Sequence, residues 1–116
     1  MPERPDQGLA RHQRSSQFRE AYETGDKHVG RLMVVYLRRG EGASLRLGVV
    51  ASRKVGHAVA RARARRLLRE AYRRERHRLH GEVDVVLVAR AALLEAEWPA
   101  VLGDLEALLK RAGLYE

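Results

Sequence analysis

Cysteine is absent from all 116 residues, which excludes a disulfide framework and any zinc site built on thiolates. That absence permits a reducing compartment without demanding one, and the expected location is cytoplasmic. No apolar run approaches the roughly 18 residues that crossing a bilayer requires. The opening stretch MPERPDQGLARHQR has no apolar centre of the kind a signal peptide carries. Internal repeats, low-complexity blocks and a Walker phosphate loop are also missing. Negative charge is scarce: 15 Asp and Glu face 23 Lys and Arg, a formal net charge of +8 with a pI near 10.7. A side-chain catalyst of hydrolysis needs a metal cage or an acid/base pair, and neither stands out. The carboxylates Glu20, Glu23, Asp26, Glu82, Asp84, Glu95 and Glu97 are scattered. Glu82 and Asp84 share one strand face and could hold a cation, although carboxylates at a strand mouth more often solubilise or turn the chain. His12, His28, His57, His77 and His80 show no ligand spacing. Independent catalysis by this chain is not expected.

What is present fits one globular domain. Hydrophobic residues make up 45% and charged residues 33%, ordinary values for a folded chain of this length. A basic domain with pI above about 9 has the electrostatic footprint of a nucleic-acid binder, with anionic membranes as the other common partner. The lack of an apolar span weakens the membrane reading.

Along the chain, residues 1–14 read as a flexible basic arm and residues 15–116 as a single α+β domain. SSQFREAYETG has Ser15 or Ser16 as a cap, Phe18 and Tyr22 four apart on one face, and Gly25 as a stop, so a short helix is expected. RLMVVYLRR and LRLGVVAS read as strands joined by the turn GEGAS, which predicts a hairpin. A further short strand near residues 27–30 has weaker support. A long helix is expected over 58–79. EVDVVLVAR is apolar on both faces and suits a central, covered strand. WPAVLGDLEALLKRAG is an amphipathic helix with Pro99 in its first turn and Gly113 at its end.

The long helix is the informative element. At about 100° per residue, Ala60, Ala64, Leu67, Leu68 and Ala71 fall on one side. Arg65, Arg66, Arg69, Arg73 and Arg76 fall on the other, with Arg61 at the edge. Like charges four apart cost a helix a few tenths of a kcal/mol per pair, a cost that an anionic partner removes. The planar guanidinium suits phosphate oxygens better than a lysine point charge does. A solvated face is the plainer explanation, but Glu70 and Glu75 are the only local counter-charges. Arg53 and Lys54 precede Gly56 at the helix start, where free N–H groups can donate to a phosphate. Charge alone leaves RNA and DNA both open.

The segment from residue 52 to 70, S-R-K-V-G-H-A-V-A-R-A-R-A-R-R-L-L-R-E, resembles the bacterial ribonuclease P protein component. That family carries S-K-K-x-G-N-A-V-x-R-N-R-x-K-R-x-x-R-E. The likeness extends to Phe18 and Tyr22, to Tyr36 on the first long strand, and to the strand D-V-V-L-V-A-R at 84–90. It departs at His57 and Ala62, where the family usually has Asn. The resemblance implies a small mixed four-stranded sheet with packed helices in the order α-β-β-β-α-β-α. It also implies a left-handed βαβ crossover, as in a ribosomal protein S5 domain 2-like fold. It further implies a ribonucleoprotein enzyme, ribonuclease P, whose RNA subunit carries Mg2+ and removes the 5′ leader of precursor tRNA. On that reading Arg53, Lys54, Arg61, Arg63, Arg65, Arg66, Arg69 and Arg73 bind the RNA subunit. Phe18, Tyr22 and Tyr36 bind the leader, although their spacing alone fits core packing nearly as well. No protein partner or membrane is required. A basic, ribosome-associated RNA-binding module without enzymatic role is the alternative.

Overall fold

The structure, a computed structural model, describes residues 26–115. The arm at 1–14 and the expected helix with Phe18 and Tyr22 lie outside the described residues. Strand β1 (Lys27–Val29) is followed by β2 (Met33–Arg39), β3 (Leu47–Val50), helix α1 (Ala58–Glu75), β4 (Val83–Ala89) and helix α2 (Trp98–Arg111). Short 3-10 turns occupy Arg76–Arg78 and Ala91–Glu95.

The four strands form one mixed sheet in the order β1-β2-β4-β3. β4 runs antiparallel to β2, from Met33↔Ala89 to Arg39↔Val83, and parallel to β3, from Leu47↔Val85 to Val50↔Val88. The expected hairpin between β2 and β3 is therefore absent, because β4 is inserted between them. The reason lies in β4 itself, which is buried along nearly its whole length. A strand apolar on both faces gains most when neighbours flank it on both sides. The intervening loop is tied to β4 instead, through Gly40 N–H to Glu82 O (3.1 Å) and Leu45 N–H to Val83 O (2.6 Å). The β3–α1–β4 unit joins two parallel neighbours, and it is the crossover for which the family resemblance implies a left hand.

Alternation along the strands divides the sheet into two faces. Met33, Val35 and Leu37 of β2 and Val83, Val85, Leu87 and Ala89 of β4 form the core with both helices. From α1 come Ala64, Leu68, Ala71 and Tyr72, and from α2 come Val101, Leu105, Leu108 and Leu109. Two alanines in the α1 seam let its backbone sit close to the sheet. The buried arc is rotated from the expected one. Tyr72 and Glu75 are inside, while Ala60 and Leu67 are half-buried. α1 also ends at Glu75, earlier than the expected 79, because Leu79 leaves the helix to bridge Tyr115 and bury its side chain. α2 matches expectation, with Pro99 in its first turn and Gly113 at positive φ after its end. Its Asp104 accepts the Leu32 N–H at 3.0 Å and fastens the β1–β2 turn. Gly30 permits this approach, since a Cβ there would lie 2.6 Å from the carboxylate.

Candidate nucleic-acid interface

The turn from β3 into α1 is built by Ser52. Its carbonyl accepts Val55 N–H at 3.0 Å and its hydroxyl accepts Lys54 N–H at 3.2 Å. Arg53 and Lys54 are left exposed on that turn. Gly56 follows at φ +149, with the Ala60 Cβ 2.7 Å from where its own Cβ would be. Only glycine fits there without strain. His57 is the N-cap of α1 in extended conformation, and its side chain makes no capping bond. The first turn contains no acidic residue. The N-terminus of α1 thus presents its unpaired N–H groups beside two cations.

On α1, Arg63 and Arg66 are exposed, and Arg61, Arg65 and Arg69 flank them half-buried. Among the described residues, no carboxylate lies within 4.0 Å of Arg53, Lys54, Arg61, Arg63, Arg65, Arg66 or Arg69. Val59 stands 84% exposed within this basic surface. Ala62 occupies the place where the family's amide usually is, so no side-chain amide reaches out from that position.

The C-terminal half of α1 is different. Arg73 donates to both oxygens of Glu70 at 2.8 and 2.7 Å, and Arg74 lies 3.6 Å from the same carboxylate. These guanidinium groups hold the Glu70 carboxyl below its usual range, the Arg73 hydrogen bond contributing most. Arg73, expected among the residues that bind the RNA subunit, thus has a carboxylate partner on its own helix. Arg74 also lies over the Trp98 ring at 5.7 Å. Arg78 bonds Glu75 at 3.0 Å, sits 3.6 Å from Glu106 and covers the Tyr115 ring at 4.7 Å. Among the described residues, the N-terminal half of α1 and the preceding turn hold a run of cations without carboxylate partners, and at the C-terminal end Arg76 is likewise without one.

The second surface is the sheet face opposite the helices. Register places Lys27, Tyr36, Val86 and Gly48 in one row, and Val34, Val88 and Val50 in the next. The Lys27 ammonium lies 6.0 Å from the Tyr36 ring centroid. At one end of this face Asp84 gathers two arginines. Arg46 donates to it at 2.7 and 3.2 Å, and Arg38 at 3.1 Å. The backbone N–H groups of Ser44 and Arg46 each add a bond of 3.0 Å. Burial alone raises the Asp84 carboxyl, but the Arg46 guanidinium and these N–H donors outweigh it and hold the group below its usual range. Asp84 is thereby a fastening for the 40–46 loop, and with Arg38 and Arg46 in its grip it is not available to pair with Glu82 around a cation. Among the described residues no group of three or more His, Asp or Glu converges as a metal cage. Lys27 beside Tyr36 was not legible beforehand, because an antiparallel register is not written in either strand alone.

The ribonuclease P family model matches residues 9–113, which include both surfaces. The chain belongs to the ribonuclease P protein family. The ribonuclease P protein component of Clostridium novyi is 35% identical over 101 residues, covering 85% of this chain and 89% of the relative. That of Caldanaerobacter subterraneus is 33% identical over 108 residues, covering 93% of each. Among solved structures, the Thermotoga maritima ribonuclease P protein superposes with a TM-score of 0.72 at 31% identity, covering 81% of this chain and 89% of that one. The Staphylococcus aureus ribonuclease P protein gives 0.75 at 27% identity, covering 87% and 93%. As a ribonuclease P protein, the chain is one component of a ribonucleoprotein endonuclease that processes tRNA. The mixed sheet and packed helices described above are the fold of that family.

Proposed function

We propose that this ribonuclease P protein seats the RNA subunit on the N-terminal half of α1, with Arg53, Lys54, Arg61, Arg63, Arg65, Arg66 and Arg69 on its phosphates. The unpaired 5′ leader of precursor tRNA lies on the opposite sheet face, where Tyr36 provides a ring for stacking. Phe18 and Tyr22 join that site by the family resemblance, and the arm at 1–14 adds positive charge. The observation that carries the reading is the lack, among the described residues, of carboxylate partners around Arg53, Lys54, Arg61, Arg63, Arg65, Arg66 and Arg69, on a helix whose alanine side is fixed to the sheet. A polyanion removes the repulsion these side chains impose on one another. Mg2+ is assigned mainly to the RNA subunit by the family resemblance. In keeping with this, the two buried carboxylates among the described residues are already engaged, Asp84 by Arg38 and Arg46 and Glu75 by Arg78 and Tyr115. The setting is cytoplasmic, in keeping with a chain free of cysteine and of any helix among the described residues long and apolar enough to cross a membrane.

Reconstitution tests this directly. Protein plus cognate RNA subunit and Mg2+ is expected to remove the leader at physiological salt faster than RNA alone, and protein alone is expected to leave precursor tRNA intact. Cleavage by protein alone, or no gain over RNA alone, contradicts the proposal. Tyr36→Ala is expected to lower the preference for leader-bearing over leaderless substrate about tenfold, a stacking loss of roughly 1–3 kcal/mol. An unchanged preference would favour a plain RNA-binding module.

A further inference from the structure

Beside the C-terminal half of α1 lies an open hollow of about 510 Å³, lined by Leu47, Arg69, Tyr72, Arg73, Arg76 and His77. Its volume falls in the range of ligand sites, roughly 300–1,000 Å³. Tyr72 closes its floor and is itself fixed, its hydroxyl donating to Leu45 O at 2.8 Å. Burial pushes that phenol up to about 12, so it remains a neutral donor. The remaining walls are mostly apolar, formed by Leu47 and the arginine side chains, and the charged ends of Arg69 and Arg76 have no carboxylate partner among the described residues. Arg73 is held at the rim by Glu70.

An apolar slot ringed by guanidinium groups is complementary to a flat base attached to phosphates. A regular RNA duplex keeps its bases stacked inside and offers nothing to fill such a slot. Unpaired nucleotides do, since their bases can be splayed out against aromatic, aliphatic or guanidinium surfaces. Position decides which RNA is concerned. Leu47 is paired with Val85 and shares its core-side face, whereas Tyr36 is on the other face of the sheet. The hollow therefore opens on the α1 side and shares Arg69 with the cationic surface there.

We infer that this hollow receives one extrahelical nucleotide of the RNA subunit, with its base against Leu47 and the arginine stems and its flanking phosphates on Arg69 and Arg76. The inference rests on the assignment of α1 to the RNA subunit and adds a single-nucleotide pocket to it.

The cysteine-free chain allows a site-specific test. His77→Cys and, separately, Val59→Cys are each coupled to a photo-crosslinker, and holoenzyme is assembled with cognate RNA subunit and precursor tRNA. Position 77 is expected to label one unpaired nucleotide of the RNA subunit, and position 59 to label the same subunit elsewhere. Replacing the labelled nucleotide by an abasic one is expected to weaken wild-type protein about tenfold. Leu47→Ala is expected to weaken binding of intact RNA and to make the abasic change nearly silent. Labelling from 59 with none from 77 overturns the pocket and leaves the α1 assignment standing. Labelling of duplex nucleotides or of the leader from 77, or strictly additive losses, overturns the pocket too. No labelling of the RNA subunit from either position overturns both.

Discussion

Two guanidinium groups and two backbone N–H groups converge on Asp84, which is 5% exposed. Its sequence context offered a solubilising or turn-forming carboxylate, because the arginines that claim it come from elsewhere in the chain, Arg38 from β2 and Arg46 from the loop before β3. The register that brings Arg38 opposite Asp84 is a property of the sheet. Asp84→Ala is expected to cost about 2–4 kcal/mol in urea unfolding, somewhat under a fully buried pair because Arg46 is half exposed. The pH dependence has a definite sign. The folded carboxyl is held below the ordinary aspartate value of 3.8, so its contribution is complete above that value. It fades as pH falls through the lower folded value, and Asp84→Asn should remove this acid-side component from the stability profile. Gly56 is the opposite case, readable early as a tight turn. Gly56→Ala is expected to cost about 1–3 kcal/mol, measured by thermal melting, because φ +149 strains any Cβ.

α1 was legible as an element, and most of its burial was too. Ala64, Leu68 and Ala71 are inside as the wheel requires. What the wheel lacked was the neighbour: the β3 side draws Tyr72 inward to reach Leu45 O, and Tyr115 O–H draws Glu75 inward at 2.7 Å. Arg73 pairs with Glu70, one of the two local counter-charges the sequence offered, three residues away. The hairpin expectation failed because two consecutive strands with a turn between them look paired until a third strand with two apolar faces claims the gap. The alanine seam has a measurable role in seating the helix. Ala64→Leu or Ala71→Leu, inserted where both side chains are 0% exposed, is expected to destabilise by roughly 1–3 kcal/mol in denaturant titrations. No loss from either would mean that the close contact of α1 with the sheet is dispensable.

At the scale of the whole molecule, the charge is divided between elements with different duties. Arg38, Arg46, Arg74 and Arg78 hold the fold together through Asp84, Trp98, Glu75 and Tyr115, while the turn at 53–54 and the first half of α1 keep their cations unneutralised by the described residues. Within a chain of net charge +8, the 53–69 segment is thus a localised cationic patch. The most direct test is the salt dependence of binding to the cognate RNA subunit, for wild type and for a variant with Arg61, Arg63, Arg65, Arg66 and Arg69 changed to Gln. If these side chains meet phosphates, log K should fall steeply with log salt for wild type, and the slope should flatten by roughly 3–5 in the variant. Equal slopes and equal affinities for the two proteins would contradict the assignment of the arginine face to RNA.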